Sequence, residues 1–449
     1  MDGATIILGA NPISEKLIAT LNRYGYDIIL IDENAHHLKK ISLEYDINTI
    51  CAHPSFPASL QEANIEQANH LIATTSIDEQ NLTACLLHHS LYPKLNYITT
   101  LNHSHYQHAM THLPGASISP LSNNQSIFED IKYLIHYPLY SHIHSLSSRL
   151  VAATIQVEDE FSYMGKTLDE MKTDLPKGII LSGLRRNDQW CKYRGNIKIS
   201  LNDELLVILP PDHLDYFHPQ EFIHQKKPII LLGISSLTFH LCKMLSENHP
   251  ITVIDASASS CQDLSRQYGN ITVLNEDPQS PKTLINCNAK NALVFACSND
   301  DEDNLICSFQ AHECQASHVY TLISNVRHGH IFDQSPIHYT INAPQVISDE
   351  IIRNLLQKNG IGHFYTKNNY LQMAEIFIAK NHPFQGKTLK EIQLPDGIYA
   401  GCIIRDQSPL FTSHNTPTLI GDSVILYGPH NRDQENPLER MLLPPGANR

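Results

Sequence analysis

The chain has 449 residues, 42% of them hydrophobic and 17% charged, which is more than one core absorbs and points to about two to four domains. A formal net charge of -14 with no basic stripe excludes a nucleic-acid binder, and ten cysteines without a C-x-x-C pair exclude a disulfide framework and a zinc site. No apolar run approaches the roughly 18 residues that span a bilayer, and no basic-then-apolar leader precedes the first strand, so no signal peptide is expected. The expectation is a cytoplasmic protein whose membrane role is peripheral.

Taken in order, the chain opens on Thr5-Ile-Ile-Leu-Gly-Ala-Asn-Pro-Ile-Ser14, an apolar run that ends on a glycine and passes into a helical pattern. This reads as the first strand, turn and helix of a nucleotide-binding α/β domain. Apolar runs at 27–31, 48–51, 69–73 and 95–101, separated by amphipathic stretches such as Ser14–Leu21 and Asn81–Leu91, predict a parallel sheet with helices on both faces. A sixth short strand is expected near Ala116–Ile118, within a first domain at 1–124. Residues 125–140 predict a crossover helix, with Ile127, Phe128, Ile131, Leu134 and Ile135 on one apolar face wide enough to bury against another copy or a neighbouring domain. Ser141–Ser148 reads as a polar joint. Strand patterns at Val151–Val157, Ile179–Leu184 and Glu204–Leu209 predict a small α+β module over 149–217, followed by a polar linker at 218–227.

The whole unit then returns. Ile229-Ile-Leu-Leu-Gly-Ile-Ser-Ser-Leu-Thr238 repeats the opening, Leu71–Asn81 matches Val294–Asn304 at an offset of 223, and Gly165-Lys-Thr-Leu168 recurs as Gly386-Lys-Thr-Leu389 at an offset of 221. A second domain is expected at 228–343, with strands near 229–232, 251–254, 271–274, 292–296, 318–323 and 338–341. A second crossover helix follows at 344–360, with Ile351, Ile352 and Leu355 apolar, then a second module at 370–430 and a flexible tail at 431–449. The fold class is therefore α/β: two Rossmann-like, doubly wound parallel-sheet domains, each followed by a small α+β module.

Asp32 lies 23 residues after Gly9, and Asp255 lies 22 after Gly233. At that spacing an acid reaches the ribose hydroxyls of a nucleotide, although an aspartate there also caps a helix. A working dinucleotide turn uses three glycines, and here only the first survives. Asn11 and Ser14 replace the others in the first half, Ser235 and Thr238 in the second. Asn11 suits a helix cap and Pro12 the first helical position, but Pro12 supplies no N–H, and the side chains at 11 and 14 crowd a pyrophosphate. Ser235 and Ser236 keep their N–H groups and add hydroxyls, so the second site is the less obstructed. Asp78 and Asp301 open Asp-Glu-x-Asn segments after the fourth strand, at the edge where ligands of such sheets sit, and acids there also favour a helix N-terminus through its dipole. Of the 27 histidines, His103, His105, His108 and His112 cluster. His108 and His112 would share a helix face at a metal-binding spacing, but with no glutamate or cysteine beside them a solvated surface is expected. No nucleophile elbow, Walker A loop, H-E-x-x-H or repeated acid/base pair is present, so no catalytic residue and no metal are assigned.

The order of parts resembles the TrkA family, the regulatory subunits of Trk potassium-uptake systems. The most specific likeness lies in Ala73-Thr-Thr-Ser-Ile-Asp-Glu-Gln-Asn81, its counterpart Ala296-Cys-Ser-Asn-Asp-Asp-Glu-Asp-Asn304, and the Gly-Lys-Thr-Leu openings of the modules, and it extends to about residue 430. The resemblance implies RCK-type nucleotide domains and RCK C-type modules in a homo-oligomeric ring on the inner face of the cell membrane. It also implies that NAD(H) or ATP/ADP gates a membrane-embedded potassium transporter subunit of the TrkH or TrkG type, with no enzymatic step. The residues assigned to nucleotide are Gly233, Ser235, Ser236, Asp255 and Asp277, then Gly9, Asn11, Asp32, Asp78 and Asp301. The chain departs from the family where His53 stands at the first-half counterpart of Asp277, and where Asn102 and Asn325 stand in place of a basic residue after the fifth strand, with Arg327 close by. Two other readings stay open. One is a ligand-independent scaffold subunit of the same complex; the other is an NAD-dependent oxidoreductase, which would need an acid/base residue facing the nicotinamide.

Overall fold

The computed structural model describes residues 3–112, 118–137, 140–147, 150–159, 161–176, 178–187, 189–191, 195–217, 226–325, 337–358, 363–367, 371–395, 398–406, 408–410 and 416–429. The tail expected at 431–449, most of the linker at 218–227 and Arg327 lie outside these residues.

Strands β1 (Ala4–Leu8), β2 (Ile28–Asp32), β3 (Asn48–Cys51), β4 (Ala68–Ala73), β5 (Asn96–Leu101) and β6 (Ile118–Ser122) form one sheet in the order 3-2-1-4-5-6, with every pair parallel. The middle strand is apolar on both sides because helices cover both faces of such a sheet: Ile6, Ile7 and Leu8 are fully buried. The sixth strand, expected near Ala116–Ile118, is described over Ile118–Ser122, and Ala116 and Ser117 lie outside the described residues. Five strands of the first module follow: β7 (Tyr140–Ser147), β8 (Leu150–Gln156), β9 (Ile180–Arg186), β10 (Gln189–Cys191) and β11 (Glu204–Leu209), in the antiparallel order 10-9-11-8-7.

The second half repeats both sheets. Strands β12 (Ile229–Leu232), β13 (Ile251–Asp255), β14 (Thr272–Asn275), β15 (Leu293–Ala296), β16 (His318–Ile323) and β17 (Tyr339–Asn342) take the order 14-13-12-15-16-17, all parallel. Strands β18 (His363–Lys367), β19 (Leu371–Phe377), β20 (Tyr399–Arg405), β21 (Ser408–Leu410) and β22 (Ser423–Pro429) are antiparallel in the order 18-19-22-20-21, the counterpart of the first module. The repeated Gly-Lys-Thr-Leu has a local cause in both modules. Gly165 (φ +78) and Gly386 (φ +75) make a turn open to glycine, and Thr167 and Thr388 are each met by a glutamate three residues on, with Thr167 N–H to Glu170 at 2.7 Å and Thr388 N–H to Glu391 at 2.8 Å.

One sequence expectation fails here. The stretch read as a polar joint is strand β7, paired antiparallel to β8, and β18 takes the same place in the second module. Tyr140 and Ile143 supply its inward face, while serines and histidines between them hide the alternation from the sequence pattern.

The described residues gather into two compact units. One comprises those of Met1–Glu129 with Lys226–Ile351 and holds both parallel sheets; the other comprises those of Asp130–Gln225 with Ile352–Arg449 and holds both modules. In the second unit Leu150, Ala152 and Ile208 of the first module share a core with Met373, Cys402, Ile404, Ile425 and Tyr427 of the second. The crossover helices are Asn123–His136 and Ala343–Lys358. Their apolar residues, Ile131 (0% exposed) and Ile351 (0%) among them, are buried within the chain itself, so this face is already covered and is not the surface for a second copy.

The helices after the fourth strands, Asp78–Leu91 and Asp301–Glu313, bury matching stripes: Asp78, Asn81, Ala84, Cys85 and His88 against Asp301, Asn304, Cys307, Ser308 and Ala311. His88 thus occupies an alanine position, is 1% exposed, and has no hydrogen-bond partner for either ring nitrogen among the described residues. Burial lowers its pKa below the usual imidazole value. The folded chain therefore resists protonating His88 where the unfolded chain does not, and stability falls as pH drops below about 6.5. Between about pH 7.5 and about pH 5.5 the melting temperature is expected to fall less in His88→Leu than in the parent protein; equal falls in the two proteins contradict a neutral, buried His88.

Candidate functional site

In an open sheet of this order a ligand sits outside the carboxyl ends of the strands, where the strand order reverses between the first and fourth. Both halves build that spot from the same parts. Gly9 (φ +101) and Gly233 (φ +92) make the turn after the first strand and are pressed onto the chain leaving the fourth. A Cβ at Gly9 would lie 2.9 Å from the Thr75 backbone, and one at Gly233 would lie 2.6 Å from the Ser298 side chain, so only glycine fits.

The aspartates at the ends of β2 and β13 hold these turns. Asp32 accepts the Ala10 N–H and the Asn34 N–H, each at 2.7 Å, and Asp255 accepts the Ile234 N–H and the Ser257 N–H, each at 2.7 Å. One carboxylate oxygen ties down the turn and the other the start of the next helix. Each oxygen keeps a second lone pair with which a ribose hydroxyl could be met.

The residues in place of the second glycine cross the reversal point. The Asn11 amide donates to the Thr74 carbonyl and the Ser235 hydroxyl donates to the Cys297 carbonyl at 2.6 Å, each carbonyl lying just beyond the fourth strand. A pyrophosphate in its usual place would have to displace these bonds.

The helix starts distinguish the halves. In the first, the Asn11 side-chain oxygen Oδ1 accepts from Ile13 N–H at 3.0 Å and Ser14 N–H at 3.1 Å, and Pro12 has no N–H, so these donors of helix Pro12–Arg23 are already spent. In the second, Ser235 N–H donates to Thr238 Oγ1 at 3.0 Å, and the Ser235 hydroxyl is turned to Cys297, not to Leu237, the counterpart of Ile13. Ser236, in place of Pro12, carries an N–H. The N–H groups of Ile13 and Ser14 are thus occupied in the first site, whereas in the second Ser235 caps Thr238 and the N–H groups of Ser236 and Leu237 lie beside an acceptor carboxylate.

The other assigned acids stand apart from this cluster. Asp78 is 3% exposed and accepts from Asn102 N–H at 2.9 Å, His103 N–H at 2.9 Å and His103 Nδ1 at 2.9 Å. Asp301 accepts from Ser324 N–H and Asn325 N–H, both at 2.8 Å. Both carboxylates therefore fasten the chain leaving the fifth strand to the helix after the fourth. Asp277 is exposed beyond β14 and accepts the Gln279 N–H at 2.9 Å. His53, its first-half counterpart, stacks on Phe56 at 4.2 Å and bonds Ser55. Among the described residues no group of three or more His, Cys, Asp or Glu could hold a metal, and His108 and His112 face each other 4.4 Å apart at the end of helix Ser104–Thr111. At the second reversal point burial pushes the Cys297 thiol up to about 12, which leaves it protonated and a poor nucleophile.

Two residues of the repeated motif carry a role that its spacing does not disclose. Asn81 accepts from Thr75 N–H at 2.9 Å and donates to the carbonyls of Thr75 and Thr100 at 2.9 and 3.0 Å; Asn304 accepts from Ser298 N–H at 2.8 Å and donates to Ser298 and Leu322 at 3.1 and 3.2 Å. Each buried amide laces the loop beyond the fourth strand to the end of the fifth. Their repetition at one offset was the available signal; their partners are too far along the chain to be read from it.

Two Rossmann-like parallel sheets with matched turns after their first strands define a tandem Rossmann-type protein. The sequence profile of the TrkA-N domain matches residues 5–118 and again 229–343. The Trk system potassium uptake protein TrkA of Halomonas elongata is 23% identical over 433 residues, 94% of this chain and 95% of that protein. Among solved structures, the GsuK RCK domain superposes with a TM-score of 0.61 at 15% identity over 98% of this chain and 95% of its own, and a GsuK channel bound to NAD with a TM-score of 0.61 at 16% identity over 95% and 77%. The chain belongs to the TrkA family of potassium-uptake regulatory subunits. Among its described residues no helix is long and apolar enough to cross a membrane.

Truncating Asn304 to alanine strands the Ser298 N–H and two carbonyls at the edge of the second site. Asn304→Ala is expected to cost about 2–3 kcal/mol in urea unfolding; an unchanged midpoint contradicts the lacing role.

Proposed function

We infer that this chain is a peripheral regulatory subunit at the inner face of the membrane, whose second domain binds a nucleotide, NAD(H) or ATP/ADP, and thereby biases a potassium transporter subunit of the TrkH or TrkG type. The observation that carries the nucleotide reading is the contrast between the helix starts: Pro12 has no N–H and Asn11 occupies that of Ile13, while the counterparts Ser236 and Leu237 keep theirs clear of the Ser235 side chain beside Asp255. The first-turn N–H groups of helix Ser236–Leu245 would hold phosphate, Asp255 would take the ribose hydroxyls, and Asp277 stands at the rim. Asp78 and Asp301 act as braces of the carboxyl edge. In this reading the first domain keeps the frame without the ligand, which gives it the scaffold role.

The reading excludes chemistry on the ligand, since regulation requires only that the nucleotide prefer one state of the assembly. Self-assembly into a ring is supported by apolar side chains left exposed on equivalent helices, Leu86 (39%), Leu87 (39%) and Leu91 (58%) in one half and Ile306 (43%) and Phe309 (38%) in the other.

Calorimetry of the full chain with NADH, NAD, ATP and ADP tests the proposal. At least one should bind, Asp255→Ala should weaken it by about tenfold or more, and Asp32→Ala should leave it within about twofold. No binding by any of the four, or equal loss from both substitutions, overturns it.

A further inference from the structure

The two parallel sheets meet within their unit through an exchange of helices. Phe128 on the crossover helix of the first half packs edge-on to His240 on the turn helix of the second, at 5.8 Å, while Lys16 on the turn helix of the first is attracted by Asp349 on the crossover helix of the second. At the head of the first of these contacts lies a chain of polar bonds. Asp78 holds the Asn102 N–H at 2.9 Å; Asn123 donates to the Asn102 side chain and the Asn124 side-chain amide to the Asn102 main-chain carbonyl, both at 2.8 Å; and the Asn124 side-chain oxygen Oδ1 accepts from the Ser236 hydroxyl at 3.4 Å. The carboxyl edge of the first domain is thereby joined to the first turn of the helix that, on the reading above, seats nucleotide in the second.

We propose that Asn124 is a coupling residue through which the first domain controls the nucleotide seat of the second, so that the half with the spent turn serves as a governor of the other and not as a second pocket. Its amide is fixed by Asn102, which aims its oxygen at Ser236. A phosphate settling on the first turn competes for that same hydroxyl. The 3.4 Å bond is long for an O–H donor and is easily exchanged. By linkage, a ligand that breaks the bond loosens the joint, and the intact joint opposes the ligand by the same factor. Asn124 is a positioning residue: it acts through Ser236 and does not itself meet the nucleotide.

The proposal rests on nucleotide binding at the second domain, and its test separates the two. In calorimetry of the full chain with ADP and NADH, Asn124→Ala is expected to tighten binding by about two- to fivefold, because the competing acceptor is gone, and Asn124→Asp, which keeps an acceptor and adds charge, to weaken it. A merely structural asparagine would give weaker binding in Asn124→Ala, and that result, or no change, overturns the coupling. In the ligand-free protein, amide exchange over residues 234–241 should quicken in Asn102→Ala, which removes the side-chain bonds to Asp78 and from Asn123 that steady the Asn102 main-chain carbonyl, but not when Asn102→Ala is added to Asn124→Ala. Equal quickening in both backgrounds, or none, overturns the coupling whether or not the parent protein binds nucleotide; absence of binding with the exchange effect intact overturns only the nucleotide reading.

Discussion

A carboxylate at the end of the second strand, accepting the N–H that follows the turn glycine at 2.7 Å in both halves, is the constraint on which each parallel-sheet domain depends. It joins the ends of two neighbouring strands at the point where the sheet can receive a ligand, and it fixes a glycine whose φ no other residue adopts cheaply. Because the bond is internal, it persists whether or not a ligand is present. That explains how the two halves keep the same frame after their ligand-facing residues have diverged.

The divergence is confined to a few atoms. Asn11 uses one side chain to bridge the reversal point and to occupy two helix-start donors; Ser235, the shorter side chain, bridges the same gap and reaches Thr238 but not the Leu237 N–H. Pro12 against Ser236 adds one N–H to the second half. Differences of this size leave strand order and core untouched, since the helices after the fourth strands still bury the same positions, although Ala84, Cys85 and His88 stand against Cys307, Ser308 and Ala311. On the proposed reading one half is a frame and the other a seat, joined by contacts between the crossover helix of the first and the turn helix of the second.

The parallel domains were legible in the sequence because their strands are continuous apolar runs, buried on both faces, and because the chain states them twice. Strands β7 and β18 were not, since an edge strand in an antiparallel module needs only a few inward residues; serines and histidines interrupt β7, and β18 is only five residues long. Asp32 and Asp255 were legible by spacing, but their bonds to the turn were not, because an acid at that distance reads equally as a ribose contact or a helix cap. The motif acids Asp78 and Asp301 announced themselves by repetition, yet what they hold lies 24 and 23 residues further on, at the end of the fifth strand, and only the fold brings it back. Asn124 gave no sign at all, because its significance lies in a contact between halves.

On the proposed reading, two copies of the same frame carry one working seat. Equilibrium dialysis of the full chain against a saturating nucleotide measures this directly by counting bound molecules per chain. One per chain is the predicted result, and two per chain would contradict the claim.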